Sequence, residues 1–143
     1  MATPTVLFVC LHGSAKSVIA AEHFRRLAAE RGVEVDALSA GTEPDSEIPP
    51  RVVQGLLAGG IDVRRLRPHR VTRADLESAS RVITFGCELN DLAPSGLAIE
   101  RWDDVPLVSE DFTRAQDAIL TRVSRLLDEC ATPSNQLTEL PRE

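Results

Sequence analysis

One stretch constrains this chain more than any other: Val6-Leu7-Phe8-Val9-Cys10-Leu11-His12-Gly13-Ser14-Ala15-Lys16-Ser17. Thr5–Val9 is apolar and partly β-branched throughout, the pattern of a strand buried on both faces. From Ser17 to about Arg31, the apolar residues Val18, Ala21, Phe24, Leu27 and Ala28 recur at helical spacing, and Gly32 stops the run. The stretch therefore predicts a buried strand that turns through a short loop of small residues straight into a helix. Such a unit needs further strands beside it and a helix layer over it.

The rest of the chain supplies them. Val33–Ala40, closed by Gly41, reads as a second strand. Pro49-Pro50 opens a short helix carrying Val52, Val53, Leu56 and Leu57, which Gly59-Gly60 ends. Thr72 with Asp75 has the spacing of a helix cap, and Arg81–Phe85 reads as a third buried strand. Gly86–Gly96 is a loop, Leu97–Trp102 a fourth strand, and Ser109 with Glu110 and Asp111 caps a last helix. Phe112, Ala115, Ile119, Leu126 and Leu127 mark the inner side of that helix. Alternating strands and helices predict an α/β fold: three layers, with a doubly wound four-stranded parallel sheet and helices on both faces. One domain over residues 1–130 is expected, followed by a loosely held tail at 131–143. Ligands of such sheets bind beyond the C-terminal strand ends, where Cys10, Gly41, Cys87 and Asp103-Asp104 all fall.

Composition narrows the function. A net charge of −6 disfavours a nucleic-acid partner, which needs a basic face for its phosphates. Four Phe, one Trp and no Tyr leave little to build a stacking platform for bases. No apolar run reaches the roughly 18–20 residues that span a bilayer, and nothing at the N-terminus reads as a secretory signal. An odd count of three cysteines argues against a disulfide framework, so reduced thiols and a cytoplasmic location are expected. No His/Cys cluster has metal-ligand spacing, and no bound cofactor is expected.

A small anion remains the natural ligand, because a tight loop of small residues lets successive N–H groups converge on one point. The helix N-terminus adds partial positive charge, Gly13 tolerates the φ > 0 that such a nest requires, and Lys16 adds a full charge. A thiol in that field ionises more readily, and Ser17 can donate to the thiolate. Cys10 thus pairs a nucleophile with an oxyanion cradle formed by Leu11, His12, Gly13, Ser14, Ala15, Lys16 and Ser17.

Cys-x5-Lys-Ser after an apolar strand resembles the Cys-x5-Arg-Ser loop of low-molecular-weight protein tyrosine phosphatases and the arsenate reductases that share their fold. Ala21-Glu22, Ser39-Ala40-Gly41-Thr42-Glu43-Pro44, Val82-Ile83-Thr84-Phe85-Gly86-Cys87 and Arg101-Trp102-Asp103 are similar to family segments at the expected intervals. The likeness covers about Val6–Leu127, and His12 with Gly86-Cys87 resembles the arsenate reductase branch more than the phosphatase branch. The resemblance implies that Cys10 attacks phosphorus or arsenic while Lys16 and the loop amides hold the oxygens. It also implies that an aspartate near Trp102 protonates the leaving group. Water then releases phosphate, or a second thiol releases arsenite.

Three departures bear on this. Lysine is a point charge where the family arginine is a planar fork, so transition-state stabilisation suffers more than anion binding. The family's Asp-Pro pair is missing from Trp102-Asp103-Asp104-Val105-Pro106-Leu107. Asp104 is the first candidate acid and Asp103 the second, while a shifted alignment puts Leu107 there. Finally, Glu88–Pro94 holds no second relay cysteine. Cys87 can resolve an adduct on Cys10, or a small thiol such as mycothiol or glutathione, or a thioredoxin-type reductant, can do so. Cys130 reads as a core or surface residue.

Three functions follow. The first is a thiol-dependent arsenate reductase, the second a phosphomonoesterase acting through a cysteinyl-phosphate. The third is a phosphate or arsenate binder that no longer catalyses. The lack of aromatic pocket residues weighs against phosphotyrosine. His23 and His69 read as surface residues, and the basic run Leu66-Arg67-Pro68-His69-Arg70 reads as a solvated loop.

Overall fold

The computed structural model describes residues 3–131. In chain order the elements are β1 (Thr5–Cys10), α1 (Lys16–Arg31), β2 (Asp36–Gly41), α2 (Pro50–Ala58), α3 (Arg73–Ser78), β3 (Arg81–Phe85), β4 (Glu100–Arg101) and α4 (Phe112–Ala131). The four strands are parallel in the order β2-β1-β3-β4. After β1 the chain steps out to β2, then returns across β1 to β3. The C-terminal end of β1 is therefore the point where the direction of winding reverses, and Cys10 stands there.

Alternation along β1 sorts the core into two layers. Val6, Phe8 and Cys10 face α1, α2 and α4, while Leu7 and Val9 face Leu76 of α3, Cys87 and Leu89. The predicted three-layer α/β fold is thus observed, with the thicker helical layer on one face. Phe8 is fully buried, its ring centroid 5.9 Å from those of Phe24 and Trp102 and 6.4 Å from that of Phe85. Burying such a side chain is worth about 1.5–3 kcal/mol. The scarce aromatics are spent on this cluster, apart from Phe112, which lies over Gly55 of α2 where even a methyl group would collide with its ring.

The structure shifts several predicted boundaries. β2 starts at Asp36, because Val33 is still closing the α1 terminus through its N–H bond to Ala28 O. β4 is a two-residue edge strand paired with Ile83 and Thr84, and Leu97 belongs to a turn closed by Pro94 O. Asp111, not Ser109, caps α4, accepting from the Arg114 N–H at 3.0 Å. Thr72 and Asp75 form the expected capping box. The expected tail lies outside the described residues except for Ala131, the last residue of α4. No helix among the described residues is long and apolar enough to cross a membrane.

Candidate active site

The loop after β1 is shaped from its outer side. The carbonyls of Cys10, Leu11 and His12 accept from the N–H groups of Thr42, Glu43 and Asp45 at 3.3, 2.7 and 3.0 Å. None of the N–H groups of residues 11–15 donates to a carbonyl among the described residues. Two glycines permit this approach. A Cβ on Gly13 would sit 2.6 Å from Gly41 N, and one on Gly41 would sit 2.5 Å from Gly13 N. Gly13 also has φ 61°, in the region that disfavours side chains.

Cys10 lies buried at the base of this loop, its Sγ 3.0 Å from the Oγ of fully buried Ser17. Once the thiol ionises, the Ser17 hydroxyl is the donor of that bond. Above it opens a cavity of about 350 Å³ whose walls include Leu11, Pro49, Phe85, Leu107 and Val108, with Lys16 and Asp45 as its charged members beside His12. Lys16 donates from Nζ to Val105 O at 2.9 Å. Burial pushes the Lys16 ammonium below the ordinary lysine value, against the opposing pull of Cys10 and Asp103. An ammonium has three protons, so two remain for a ligand.

The structure places the sequence candidates unequally. Cys10, Leu11, His12, Ser14, Ala15 and Lys16 share the cavity, and Ser17 supports Cys10 from below. Asp104 is directed to Arg122 on α4, its side chain 73% exposed. Asp103 accepts from the Gly86 N–H at 3.0 Å and from Arg101 Nε at 2.9 Å. Neither aspartate is among the cavity-lining residues, whereas Leu107, the residue reached by the shifted alignment, is.

Cys87 is buried on the other face of the sheet, its Sγ 3.6 Å from Val9 O. Burial, reinforced by Cys10, pushes its thiol up to about 11. It borders a separate cavity of about 630 Å³, and Leu11 is common to both cavities. Cys130 is partly buried against the core, as its helical position suggested.

Some site residues were missed in the sequence. Asp45 enters the cavity wall because its N–H is bound to His12 O, while its carboxylate accepts from Ser14 Oγ at 2.7 Å. The signal available was its place just after a strand end, next to Pro44. Both histidines read as surface residues have partners: His23 is buried, 2.9 Å from Gln116 Oε1, and His69 pairs with Asp75 at 2.8 Å.

A buried thiol thus stands at the switch point of a parallel sheet, beside the Ser17 hydroxyl and at the floor of a cavity that Lys16 also lines. The chain belongs to the low molecular weight phosphotyrosine protein phosphatase family, whose pattern matches residues 5–130. It is similar to a Corynebacterium glutamicum thioredoxin-dependent arsenate reductase, with 27% identity and a TM-score of 0.75. That match covers 96% of this chain but only 64% of the length of that one. It is also similar to an arsenate reductase from Archaeoglobus fulgidus, with 26% identity, TM-score 0.68 and coverage of 86% and 98% of the two chains. A Vibrio cholerae low molecular weight phosphotyrosine phosphatase shares the fold at 21% identity, TM-score 0.77 and coverage of 88% and 95%. Comparison with curated proteins finds no match.

Proposed function

We propose that the protein is a thiol-dependent arsenate reductase in which Cys10 is the nucleophile. The observation that carries this reading is Cys10 Sγ held 3.0 Å from Ser17 Oγ at the floor of a cavity that Lys16 also lines. The thiolate attacks arsenic, an S–As bond forms, and an oxygen departs with the electron pair and a proton. An incoming thiolate then attacks Cys10 Sγ. The S–As electron pair passes to arsenic, which leaves as arsenite, and Cys10 is left in a mixed disulfide that a second thiol reduces. Cys87 is buried on the other face of the sheet from Cys10, with its thiol pushed up by burial, so the resolving thiol on this reading comes from outside. A thioredoxin-type protein suits that role by likeness to the Corynebacterium glutamicum enzyme, and mycothiol or glutathione suits it chemically.

A second reading, phosphomonoester hydrolysis with water as the second nucleophile, is favoured by the apolar walls at Leu11, Pro49, Phe85, Leu107 and Val108. These can hold an organic group that free arsenate lacks. One experiment separates the two: arsenite release from arsenate with added thiol, beside phosphate release from an aryl phosphate without thiol, in wild type and Cys10→Ser. Arsenite release that needs both Cys10 and thiol is expected. Phosphate release alone moves the assignment to the esterase. Silence in both sinks the enzyme readings and leaves an oxyanion binder with lysine in the arginine position.

A further inference from the structure

The reaction needs a proton for the departing oxygen, and the two aspartates expected to supply it are engaged elsewhere. Asp103 is held by Gly86 N–H and Arg101, and Asp104 by Arg122. Asp45, by contrast, is the carboxylate among the residues that line the Cys10 cavity. It is fixed there by three contacts. Its N–H donates to His12 O at 3.0 Å, its Oδ2 accepts from the buried Ser14 hydroxyl at 2.7 Å, and its Oδ1 stands 3.6 Å from His12 Nδ1. Oδ2 is thus occupied by Ser14 of the 10–17 loop, while Oδ1 has no closer partner than His12 among the described residues.

We infer that Asp45 is the proton donor to the leaving oxygen, the part that the family resemblance gives to an aspartate near Trp102. The inference rests on the proposed attack of Cys10 on an oxyanion. As the S–As or S–P bond forms, the bond from the central atom to the leaving oxygen breaks. That oxygen keeps the electron pair and receives the proton from Asp45, which is left as a carboxylate. Before the next turnover Asp45 regains a proton, from attacking water in the esterase case or from solvent in the reductase case. Cys10, His12 and Lys16 are the titratable groups that face the same cavity, so Asp45 acts among one nucleophile and two cations or potential cations.

The test uses the full chain and two readouts. The first is the pH profile of turnover, with arsenate plus thiol and with an aryl phosphate in parallel. The second needs no turnover: protection of Cys10 from alkylation by orthovanadate, which forms a five-coordinate adduct with a thiolate and presents an apical oxygen to the proton donor. Asp45→Asn should lower turnover by roughly 10²–10⁴-fold and change the shape of its pH profile, while leaving the loss of oxyanion affinity at high pH that belongs to Lys16. It should also weaken vanadate protection by roughly tenfold at low pH. Ser14→Ala cuts the tether but keeps the carboxyl, so it must retain the pH dependence. Asp45→Glu must restore part of the lost rate.

Unchanged vanadate protection in Asp45→Asn, loss of the pH dependence in Ser14→Ala, or a rate loss confined to Asp104→Asn each overturns the inference. Failure of vanadate to protect Cys10 in the wild type overturns the proposed function itself, and this inference with it.

Discussion

The cavity has two sides built on different principles. On one, the 10–17 loop rests against residues 41–45 through backbone hydrogen bonds and the face-to-face approach of Gly13 and Gly41. On the other, the 102–111 segment is anchored by the Trp102 N–H to Thr84 O and by buried Trp102, Val105 and Val108, and beyond that is held by long side chains from elsewhere. Lys16 holds Val105 O, Arg51 holds the carbonyls of Val108 and Ser109, and Asp104 pairs with Arg122. On the first side, backbone packed against backbone leaves no room for an added methyl group. On the second, the polar contacts are made by separate side chains. A cradle that must present N–H groups to an anion belongs to the first kind of construction. A wall that must accept different leaving groups can belong to the second.

Gly41 is the most sensitive position on the backbone-built side. Gly41→Ala forces a methyl group against Gly13 N, His12 C and Gly13 Cα, all backbone atoms that cannot rotate away. A loss of about 3 kcal/mol is expected in urea unfolding, the upper end for overpacking, together with loss of vanadate protection at Cys10. A variant of near wild-type stability with intact protection would show that the loop tolerates separation from β2.

Lys16→Ala should have a smaller effect on stability, about 1 kcal/mol for one released hydrogen bond, but a clear effect on oxyanion affinity. Hydrogen exchange should quicken across residues 103–109 and stay unchanged across 40–45. The wild type should also lose oxyanion affinity as pH rises, since only the charged ammonium attracts the ion. Because the folded protein holds Lys16 below the ordinary lysine value, that loss starts at lower pH than for an exposed lysine. Equal quickening on both sides of the cavity would show that the two sides are held alike.

The smallest effect belongs to Asp104→Asn. An ion pair whose carboxylate is 73% exposed is screened by water, and a stability change below about 1 kcal/mol is expected by chemical denaturation.

The same division explains what could be read in the sequence. β1, α1 and β3 carry their periodicity in adjacent residues, and Thr72 with Asp75 carries a local cap, so these elements and the position of Cys10 were legible. The Cys10–Ser17 bond was legible too, because both residues lie within one strand–loop–helix unit. Lys16 reaching Val105 joins residues 89 apart, and Ser14 reaching Asp45 joins residues 31 apart. No local pattern announces either contact, and so the sequence could propose Asp104 but not see it drawn to Arg122. β4 was overestimated for a related reason: an edge strand makes few contacts, and the apolar residues before it serve a turn.

The sheet order has a consequence for how such a site can diverge. Cys10 ends a strand that is paired on both sides, so mutations beneath it are filtered first by whether the chain still folds. Leu11 and Leu107, 43% and 53% exposed at the mouth of the cavity, escape that filter. A lineage built on this scaffold can therefore vary the rim of the cavity while inheriting Cys10 almost unaltered.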